Sequence, residues 1–336
     1  MTGSSLPRLL LVGAGAMGSH HGRVIAESQR CELAAVVDPA ECRGSSLARR
    51  FGVDWMPEVD SLSNVDAVVV ASSTDQHREI ALNALEANIP LFVEKPLCAS
   101  LGESREVVET ALRRGVPLMC GFVERFNPAV VEALSRADAP SAVYAQRLSA
   151  YSPRMNAGVT WDVLVHDLDI TLRIFDGETP KIVSAAIGRS GDEGRIGEDS
   201  VAAVLEFPGA RTAGLSASRM SPRRVRQLAI CEKDRNIVAD LLNPSVAVYG
   251  RSYHGAFPSA DDLGDGREIS ERIECSDYPE PLAAQCDRFV DLIEGKCDAH
   301  AETRSILPSH EAVAAILDCA EESADTSFRN SEPLSL

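Results

Sequence analysis

The most constraining feature of this 336-residue sequence is a glycine-rich turn close to its start. An apolar run at residues 8–12 leads into Gly13-Ala14-Gly15-Ala16-Met17-Gly18, and residues 17–27 have the composition of a helix. In this strand–turn–helix setting the first glycine permits a tight turn, the second leaves room for a phosphate, and the third lets helix and strand pack closely. The helix start offers free N–H groups and a partial positive charge to an anion. The motif predicts the first unit of a dinucleotide-binding α/β fold.

Apolar runs and helical stretches alternate through the first third of the chain, which indicates parallel βαβ units covered on both faces. We predict a doubly wound Rossmann domain over residues 1–121. Its further strands are expected at 33–37, 67–71, 91–93 and 116–119, and its further helices at 41–51, 76–87 and 101–114.

The remaining residues, 122–336, have a different pattern. After helices predicted at 128–137 and 162–175, strand-like segments follow one another closely, which is typical of an antiparallel sheet. These segments are 182–188, 200–207, 212–219, 225–231 and 236–241. A polar surface loop is expected at 254–267, and two helices at 281–294 and 307–324. We predict a C-terminal α+β domain with a large, mostly antiparallel open sheet, used for substrate binding and oligomerisation.

Asp38 follows the second predicted strand, twenty residues after Gly18. A carboxylate there accepts hydrogen bonds from the adenosine ribose and repels a 2′-phosphate. This favours NAD over NADP, although Arg43 is close enough in sequence to leave NADP open. FAD uses the same glycine fingerprint and is a further alternative.

Composition excludes several classes of function. The net charge of −17 repels a phosphate backbone, so we expect no nucleic-acid partner. No apolar run is long enough to span a bilayer, and the first residues lack the features of a signal peptide. Nine scattered cysteines without a C-x-x-C pair argue against a zinc ribbon or a disulfide framework. We therefore expect a cytoplasmic protein without a metal site.

Two clusters carry the chemistry. Glu94-Lys95-Pro96 follows the strand predicted at 91–93, where ligands of open α/β sheets bind, and an ammonium there stabilises a developing alkoxide. Asp162 and His166 are four residues apart on a predicted helix, and Asp169 continues the same face. A carboxylate beside an imidazole orients it as a general base. Solvated charges at Lys95, a core histidine at His166 and a His–carboxylate metal site are the alternative interpretations.

Taken in order, Gly13–Gly18 with His21, Glu94-Lys95-Pro96 and Asp162-x-x-x-His166 resemble the Gfo/Idh/MocA oxidoreductases. The resemblance implies that Lys95 and His166 are catalytic with the assistance of Asp162, that Pro96 is cis, and that the open sheet face forms homodimers or homotetramers. Cofactor-binding residues are then expected at Gly13, Gly15, Ala16, Met17, Gly18, Asp38, Ser72, Thr74, His77, Glu94 and Lys95. Substrate-binding residues are expected at Arg125, Tyr151, Trp161, Asp162 and His166.

Within that family, Glu124-Arg125-Phe126-Asn127-Pro128 is similar to nucleotide-sugar dehydrogenases, including those that oxidise C3 of UDP-N-acetylhexosamines or their uronates. We therefore predict NAD-linked oxidation of a sugar hydroxyl to a ketone, or the reverse reduction. An inositol or free-sugar dehydrogenase and a non-catalytic NAD-binding regulator are the alternatives. Arg219, Arg223, Arg224 and Arg226 either hold a diphosphate or form a solvated strand face. The family often has a Gly-x-x-Gly turn near residues 231–236; its absence here leaves the hairpin shape open.

Overall fold

The computed structural model describes residues 6–59, 62–151, 157–191, 197–251 and 268–330. The chain divides into two compact units, and each unit is assembled from two separate stretches of sequence. The first unit contains Met1–Phe126 and Pro279–Leu307, and the second contains Asn127–Tyr278 and Pro308–Leu336. The predicted boundary at residue 121 lies close to Phe126, where the chain first passes from the first unit to the second. The assignment of everything after it to one domain was wrong, because residues 279–307 return to the first unit.

The first unit holds a six-stranded parallel sheet in the order β3-β2-β1-β4-β5-β6. Its elements are β1 (Arg8–Val12), α1 (Ala16–Glu27), β2 (Glu32–Val37), α2 (Glu41–Phe51), β3 (Asp54–Met56), β4 (Ala67–Val70), α3 (Thr74–Glu86), β5 (Leu91–Val93), α4 (Leu101–Arg114) and β6 (Leu118–Cys120). Strands β4, β5 and β6 are buried along their whole length, as expected when helices cover both faces. The predicted Rossmann fold is confirmed, with β3 as the strand that the sequence pattern missed.

The second unit holds an eight-stranded sheet in the order β14-β13-β12-β11-β7-β10-β9-β8. Only β7 and β10 pair in parallel, so the predicted mostly antiparallel sheet is confirmed. Its elements are α5 (Pro128–Arg136), β7 (Ala142–Leu148), α6 (Val165–Ile174), β8 (Lys181–Gly188), β9 (Ser200–Phe207), β10 (Arg211–Ser218), β11 (Val225–Cys231), β12 (Arg235–Asp240), β13 (Ser245–Arg251) and β14 (Glu268–Glu274).

Sequence patterns missed the hairpin of β13 and β14, and the loop predicted at 254–267 lies outside the described residues. The hairpin left open at residues 231–236 is regular. Cys231 pairs with Asn236, and the Glu232 N–H donates to the Arg235 carbonyl at 2.9 Å. A tight turn therefore forms here without the glycines.

Three helices complete the chain: α7 (Pro281–Ile293), α8 (Ala299–Arg304) and α9 (Leu307–Asn330). Phe289 of α7 is buried in the apolar cluster of the parallel sheet, where its ring packs edge-on against Phe92. In α8, the Thr303 hydroxyl donates to the Leu118 carbonyl of β6 at 3.1 Å. These contacts explain why α7 and α8 belong to the first unit although they are far from it in sequence.

Candidate functional site

The glycine loop between β1 and α1 has three glycines with three different constraints. Gly13 has φ +104°, and a Cβ there would lie 2.5 Å from the carbonyl carbon of Ala71. A Cβ on Gly18 would overlap the Gly13 carbonyl oxygen, whereas a Cβ on Gly15 would meet no other described atom within 4 Å. The loop thus turns tightly at Gly13, packs closely at Gly18 and is open at Gly15. An open backbone beside a helix start suits a pyrophosphate.

The first turn of α1 adds exposed backbone donors to this loop. Ala16 and Met17 lie at its surface, and α1 contains no acidic residue in its first turn. The first N–H groups of a helix have no partner within the helix and lie at the positive end of its dipole. The predicted positions Gly15, Ala16 and Met17 therefore have the chemistry needed to bind a dinucleotide phosphate.

Asp38, at the end of β2, is almost fully buried and shapes the loop directly. Its Oδ2 accepts the Ala14 N–H at 2.8 Å, and its Oδ1 accepts the Ala40 N–H at 2.8 Å and Arg43 Nη2 at 3.1 Å. An ionised carboxylate has about four lone-pair sites, so one more hydrogen bond, to a ribose hydroxyl, is compatible with this arrangement. The pairing of Arg43 with Asp38 also opposes recruitment of Arg43 by a 2′-phosphate. These residues fit NAD.

After β4, Ser72 and Thr74 are partly exposed while His77 is 1% exposed. The His77 ring lies between two backbone carbonyls, with Nδ1 3.1 Å from the Pro96 oxygen and Nε2 3.2 Å from the Ser72 oxygen. Both ring nitrogens thus face the protein interior. His77 therefore has internal contacts with both segments, and the direct cofactor contact that the resemblance implied stays a prediction.

Glu94-Lys95-Pro96 follows β5 directly, at the carboxyl end of the parallel sheet, and the Lys95–Pro96 peptide is cis as the resemblance implied. Lys95 is partly buried. Glu94 is buried, and its Oε1 lies 2.6 Å from Nε2 of His21 on α1. The sequence motif placed His21 beside the glycine loop but contained no signal for this pairing.

The helix that carries Asp162 and His166 is not a uniform α-helix. It begins as a π-helical turn over Thr160–Leu164 and continues as α6. Such turns are wider than α-helical ones and occur often at functional sites. Asp162 lies in the wide turn and His166, 8% exposed, in the first turn of α6. Asp169 follows in α6 and is buried, and its Oδ2 lies 3.6 Å from Nε of Arg173.

This helix is held in place by two buried acidic residues, which the sequence patterns did not identify. Asp167, next to His166, forms a buried ion pair with Arg147 of β7, in which Arg147 Nη2 lies 2.7 Å from Oδ1. Glu198, just before β9, accepts the Thr160 N–H at 2.7 Å. The inward position of Arg147 among apolar neighbours on β7 was a usable signal, because a buried arginine requires an acidic partner.

Trp161 and Tyr151, two predicted substrate residues of the second unit, each contact another side chain of that unit. Trp161 packs against the ring of His310, with 5.7 Å between centroids. Tyr151 lies under the guanidinium of Arg219, 5.5 Å from ring centroid to Cζ. Arg219 is fully buried and its Nε donates to Asp199 at 2.8 Å. Arg219 is therefore an internal residue, and its inclusion in a surface patch was wrong.

Arg223 and Arg224 remain exposed in the turn between β10 and β11. The Ser221 N–H donates to the Ser149 carbonyl at 3.0 Å, so this turn lies beside the end of β7 that leads to Tyr151. The π-helical turn containing Asp162 packs against β10 in the same unit. Arg219, just after the end of β10, donates to the Ala157 carbonyl at 2.9 Å, so the segment that leads into this turn lies at that end of the strand. Exposed positive charge therefore lies at the end of the sheet where the helix of Asp162 and His166 begins.

Arg125 differs from its predicted role. Its Nη1 lies 2.8 Å from Glu302 Oε1 and 3.0 Å from Ser305 Oγ, and its guanidinium stacks on the Phe122 ring. The Arg125 side chain is only 5% exposed. It therefore joins α8 to the segment after β6, whereas the resemblance implied a substrate contact for this residue.

Comparison with known proteins agrees with the fold. Residues 8–122 match the model of the oxidoreductase family with an NAD-binding Rossmann fold, and residues 127–236 match the model of the GFO/IDH/MocA C-terminal domain. The class that fold and glycine loop define is an NAD-dependent oxidoreductase, which confirms the predicted cofactor and enzyme class. The chain belongs to the Gfo/Idh/MocA oxidoreductase family.

The individual relatives include dehydrogenases named for UDP-N-acetylglucosamine and for scyllo-inositol. UDP-N-acetylglucosamine 3-dehydrogenase of Acidithiobacillus ferrooxidans is 28% identical over 296 residues, covering 85% of this chain and 92% of the relative. The solved structure of UDP-N-acetylglucosamine 3-dehydrogenase GnnA from that organism matches with a TM-score of 0.84 at 25% identity, covering 95% of this chain and 99% of the other. The scyllo-inositol 2-dehydrogenase (NAD(+)) of Bacillus subtilis is 28% identical over 232 residues, covering 64% of this chain and 68% of the relative.

Two kinds of feature are absent from the ranges that the structure describes. No helix there is both long and apolar enough to cross a membrane. In the same ranges, no group of three or more His, Cys, Asp and Glu side chains is arranged to hold a metal ion.

Proposed function

We propose that this enzyme oxidises a secondary hydroxyl of a nucleotide sugar to a ketone, or catalyses the reverse reduction. The observation that carries the proposal is the exposed pair Arg223 and Arg224, at the end of the second sheet where the helix of Asp162 and His166 begins. In a protein of net charge −17, exposed arginines at such a position attract a diphosphate, which arginine binds through paired hydrogen bonds. The similarity to a UDP-N-acetylglucosamine 3-dehydrogenase supports the same substrate class.

The residues have complementary proposed roles in the oxidation. His166 takes the hydroxyl proton, and Asp162 orients the His166 ring. The ammonium of Lys95 stabilises the negative charge that develops on the substrate oxygen. The glycine loop and Asp38 would hold NAD, which would supply the hydride acceptor for the oxidation. In the reverse direction His166 returns its proton to the substrate oxygen.

A second candidate function is oxidation of inositol or another free polyol. It is favoured by the similarity to the scyllo-inositol 2-dehydrogenase, although that match covers less of this chain than the UDP-N-acetylglucosamine 3-dehydrogenase match does. A free polyol has no phosphate, and therefore its binding does not depend on Arg223 and Arg224.

The decisive experiment compares NAD-dependent turnover of UDP-, GDP- and dTDP-sugars with that of free polyols. It uses the wild-type enzyme and the double variant Arg223→Glu/Arg224→Glu. A charge-assisted hydrogen bond contributes roughly 1.5–3 kcal/mol, so we expect KM for the nucleotide sugar to rise at least about tenfold in the variant.

The matched control is Lys233→Glu, which reverses an exposed positive charge in the turn between β11 and β12. Its KM should stay close to that of the wild type. Turnover of free polyols alone would exclude the nucleotide-sugar proposal and leave the polyol function. An unchanged KM for a nucleotide sugar in the double variant would exclude diphosphate binding by Arg223 and Arg224.

A further inference from the structure

The tripeptide Glu94-Lys95-Pro96 is held on both sides by buried histidines that the proposed mechanism does not use. We infer that His21 and His77 are positioning residues for Lys95, His21 through the carboxylate of Glu94 and His77 through the carbonyl of Pro96. The inference rests on the proposed catalytic role of Lys95.

His21 reaches Lys95 through the two oxygens of one carboxylate. Nε2 of His21 lies 2.6 Å from Oε1 of Glu94, and Oε2 of Glu94 accepts the backbone N–H of Lys95 at 3.2 Å. His21 is 5% exposed and Glu94 is 7% exposed. In a site this dry, removal of one partner leaves the other with an uncompensated polar group. A change at His21 is therefore transmitted to the backbone of Lys95.

The surroundings of Glu94 leave its carboxylate little freedom to move. A Cβ on Gly121 would lie 2.7 Å from Oε2, so the backbone at Gly121 is in close contact with the carboxylate. The His21 ring packs edge-on against Phe92, with 5.0 Å between centroids. The Glu94 N–H donates to the Val70 carbonyl at 2.9 Å. These contacts hold the Glu94 backbone, one carboxylate oxygen and the His21 ring, so the position of the Glu94 carboxylate depends on its contact with His21.

His77 supports the other side of Lys95. Its Nδ1 lies 3.1 Å from the Pro96 oxygen and its Nε2 lies 3.2 Å from the Ser72 oxygen. The ring thus fills the space between the segment that follows β4 and the segment that follows β5. Because His77 is 1% exposed, we expect no solvent to take the place of its ring in a variant that lacks it. The carbonyl of Pro96, one residue after Lys95, then loses its support.

The two helices that carry His21 and His77 begin at segments that are predicted to bind NAD. His21 lies on α1, which starts at the glycine loop, and His77 lies on α3, which starts after Ser72. Buried polar pairs contribute little net stability compared with apolar packing, and their use here is consistent with fixing a position. Lys95 is therefore held by the same two helices whose starts are predicted to contact the cofactor.

The test uses His21→Leu and His77→Leu, each paired with a conservative variant that keeps a side-chain donor, His21→Gln and His77→Asn. A displacement of about 1 Å at a reacting group lowers the rate on the order of 100-fold, so we expect kcat of both leucine variants to fall by about that factor. KM for NAD should change far less than kcat. The conservative variants should recover most of kcat.

A direct view of Lys95 comes from the small number of lysines, which are Lys95, Lys181, Lys233 and Lys296. Enzyme labelled with 15N-lysine therefore gives four backbone amide signals, and Lys95→Arg identifies the Lys95 signal by its loss. Because the Lys95 N–H donates to Glu94, its chemical shift reports the carboxylate position. We expect His21→Leu to move this signal and to leave the other three unchanged.

Val24→Ala is the matched control, since Val24 is a buried residue of the same helix. It should lower stability without changing kcat or the Lys95 signal. Glu94→Gln keeps the shape of the side chain and serves as a second variant if His21→Leu does not fold. It alters the contacts of the Glu94 carboxylate with His21 and with the Lys95 N–H, so it should also move the Lys95 signal and lower kcat.

An unmoved Lys95 signal in His21→Leu and in Glu94→Gln overturns the inference, and so does a loss of kcat in Val24→Ala as large as that in His21→Leu. Failure of the proposed function has a different signature. In that case Lys95→Ala turns over normally, while the Lys95 signal of His21→Leu is still displaced.

Discussion

At the scale of single residues, burial decided which charged side chains are available for chemistry. Arg219 and Arg223 are only four residues apart, yet Arg219 is fully buried against Asp199 while Arg223 is exposed. Arg125 is likewise occupied by Glu302 and Ser305. Sequence alone identifies an arginine but not its partner, because the partner is brought close only by the fold.

Lys95 is the residue on which the proposed chemistry depends most directly. We expect Lys95→Ala to retain NAD binding, because the glycine loop and Asp38 are unchanged, and to lose turnover on the order of 100-fold or more. NAD binding is measured by quenching of tryptophan fluorescence, for which Trp55, hydrogen bonded to the Asp38 carbonyl at 3.0 Å, is a local reporter. Normal turnover in this variant would contradict the mechanism.

At the scale of elements, the helix of Asp162 and His166 depends on contacts outside itself. Its wide first turn starts beside Gly158, where a Cβ would overlap the carboxylate of Glu198. Glu198 accepts the Thr160 N–H and places negative charge at the helix start, where the dipole favours it. The spacing of Asp162 and His166 on one helix was predictable from periodicity, whereas the π-helical turn was not, because it depends on this packing.

We therefore expect Glu198→Ala to destabilise the second unit by about 1–2 kcal/mol, the usual cost of losing a helix cap, and to lower kcat as well. Asn127→Ala is the matched control, because Asn127 Oδ1 caps α5 in the same unit by accepting the Ala129 N–H at 3.1 Å. Thermal unfolding should show similar losses for both variants. If Asn127→Ala lowers kcat as much as Glu198→Ala does, the effect on catalysis is one of stability alone.

At the scale of the whole molecule, one face of the eight-stranded sheet carries a row of small and apolar residues across six adjacent strands. Val204, Gly214 and Tyr144 are cross-strand neighbours, and the row continues through Ala229, Val238 and Ala247. Tyr144 is 55% exposed and Val204 is 44% exposed. Such a surface is typical of an interface between subunits. The family resemblance implied a homodimer or homotetramer formed through this sheet.

The corresponding prediction is that Tyr144→Arg/Val204→Glu yields a smaller species than the wild type in analytical ultracentrifugation. Burial of charge between the subunits is unfavourable, and therefore association is lost. Val131→Glu, an exposed apolar position on α5, is the control and should leave the mass unchanged. A wild-type monomer, or an unchanged mass in the double variant, would refute an interface on this face.

The sequence by itself determined the fold class, the NAD loop and the position of Lys95 after a parallel strand. These follow from local causes, since glycine sterics and apolar periodicity act over a few neighbouring residues. Only the tertiary structure decided that α7 and α8 return to the first unit, that Arg125 pairs with Glu302 177 residues away, and that His21 meets Glu94. Such pairings depend on which elements pack together, and the physical reason that they escape sequence patterns is that neither partner influences the local backbone of the other.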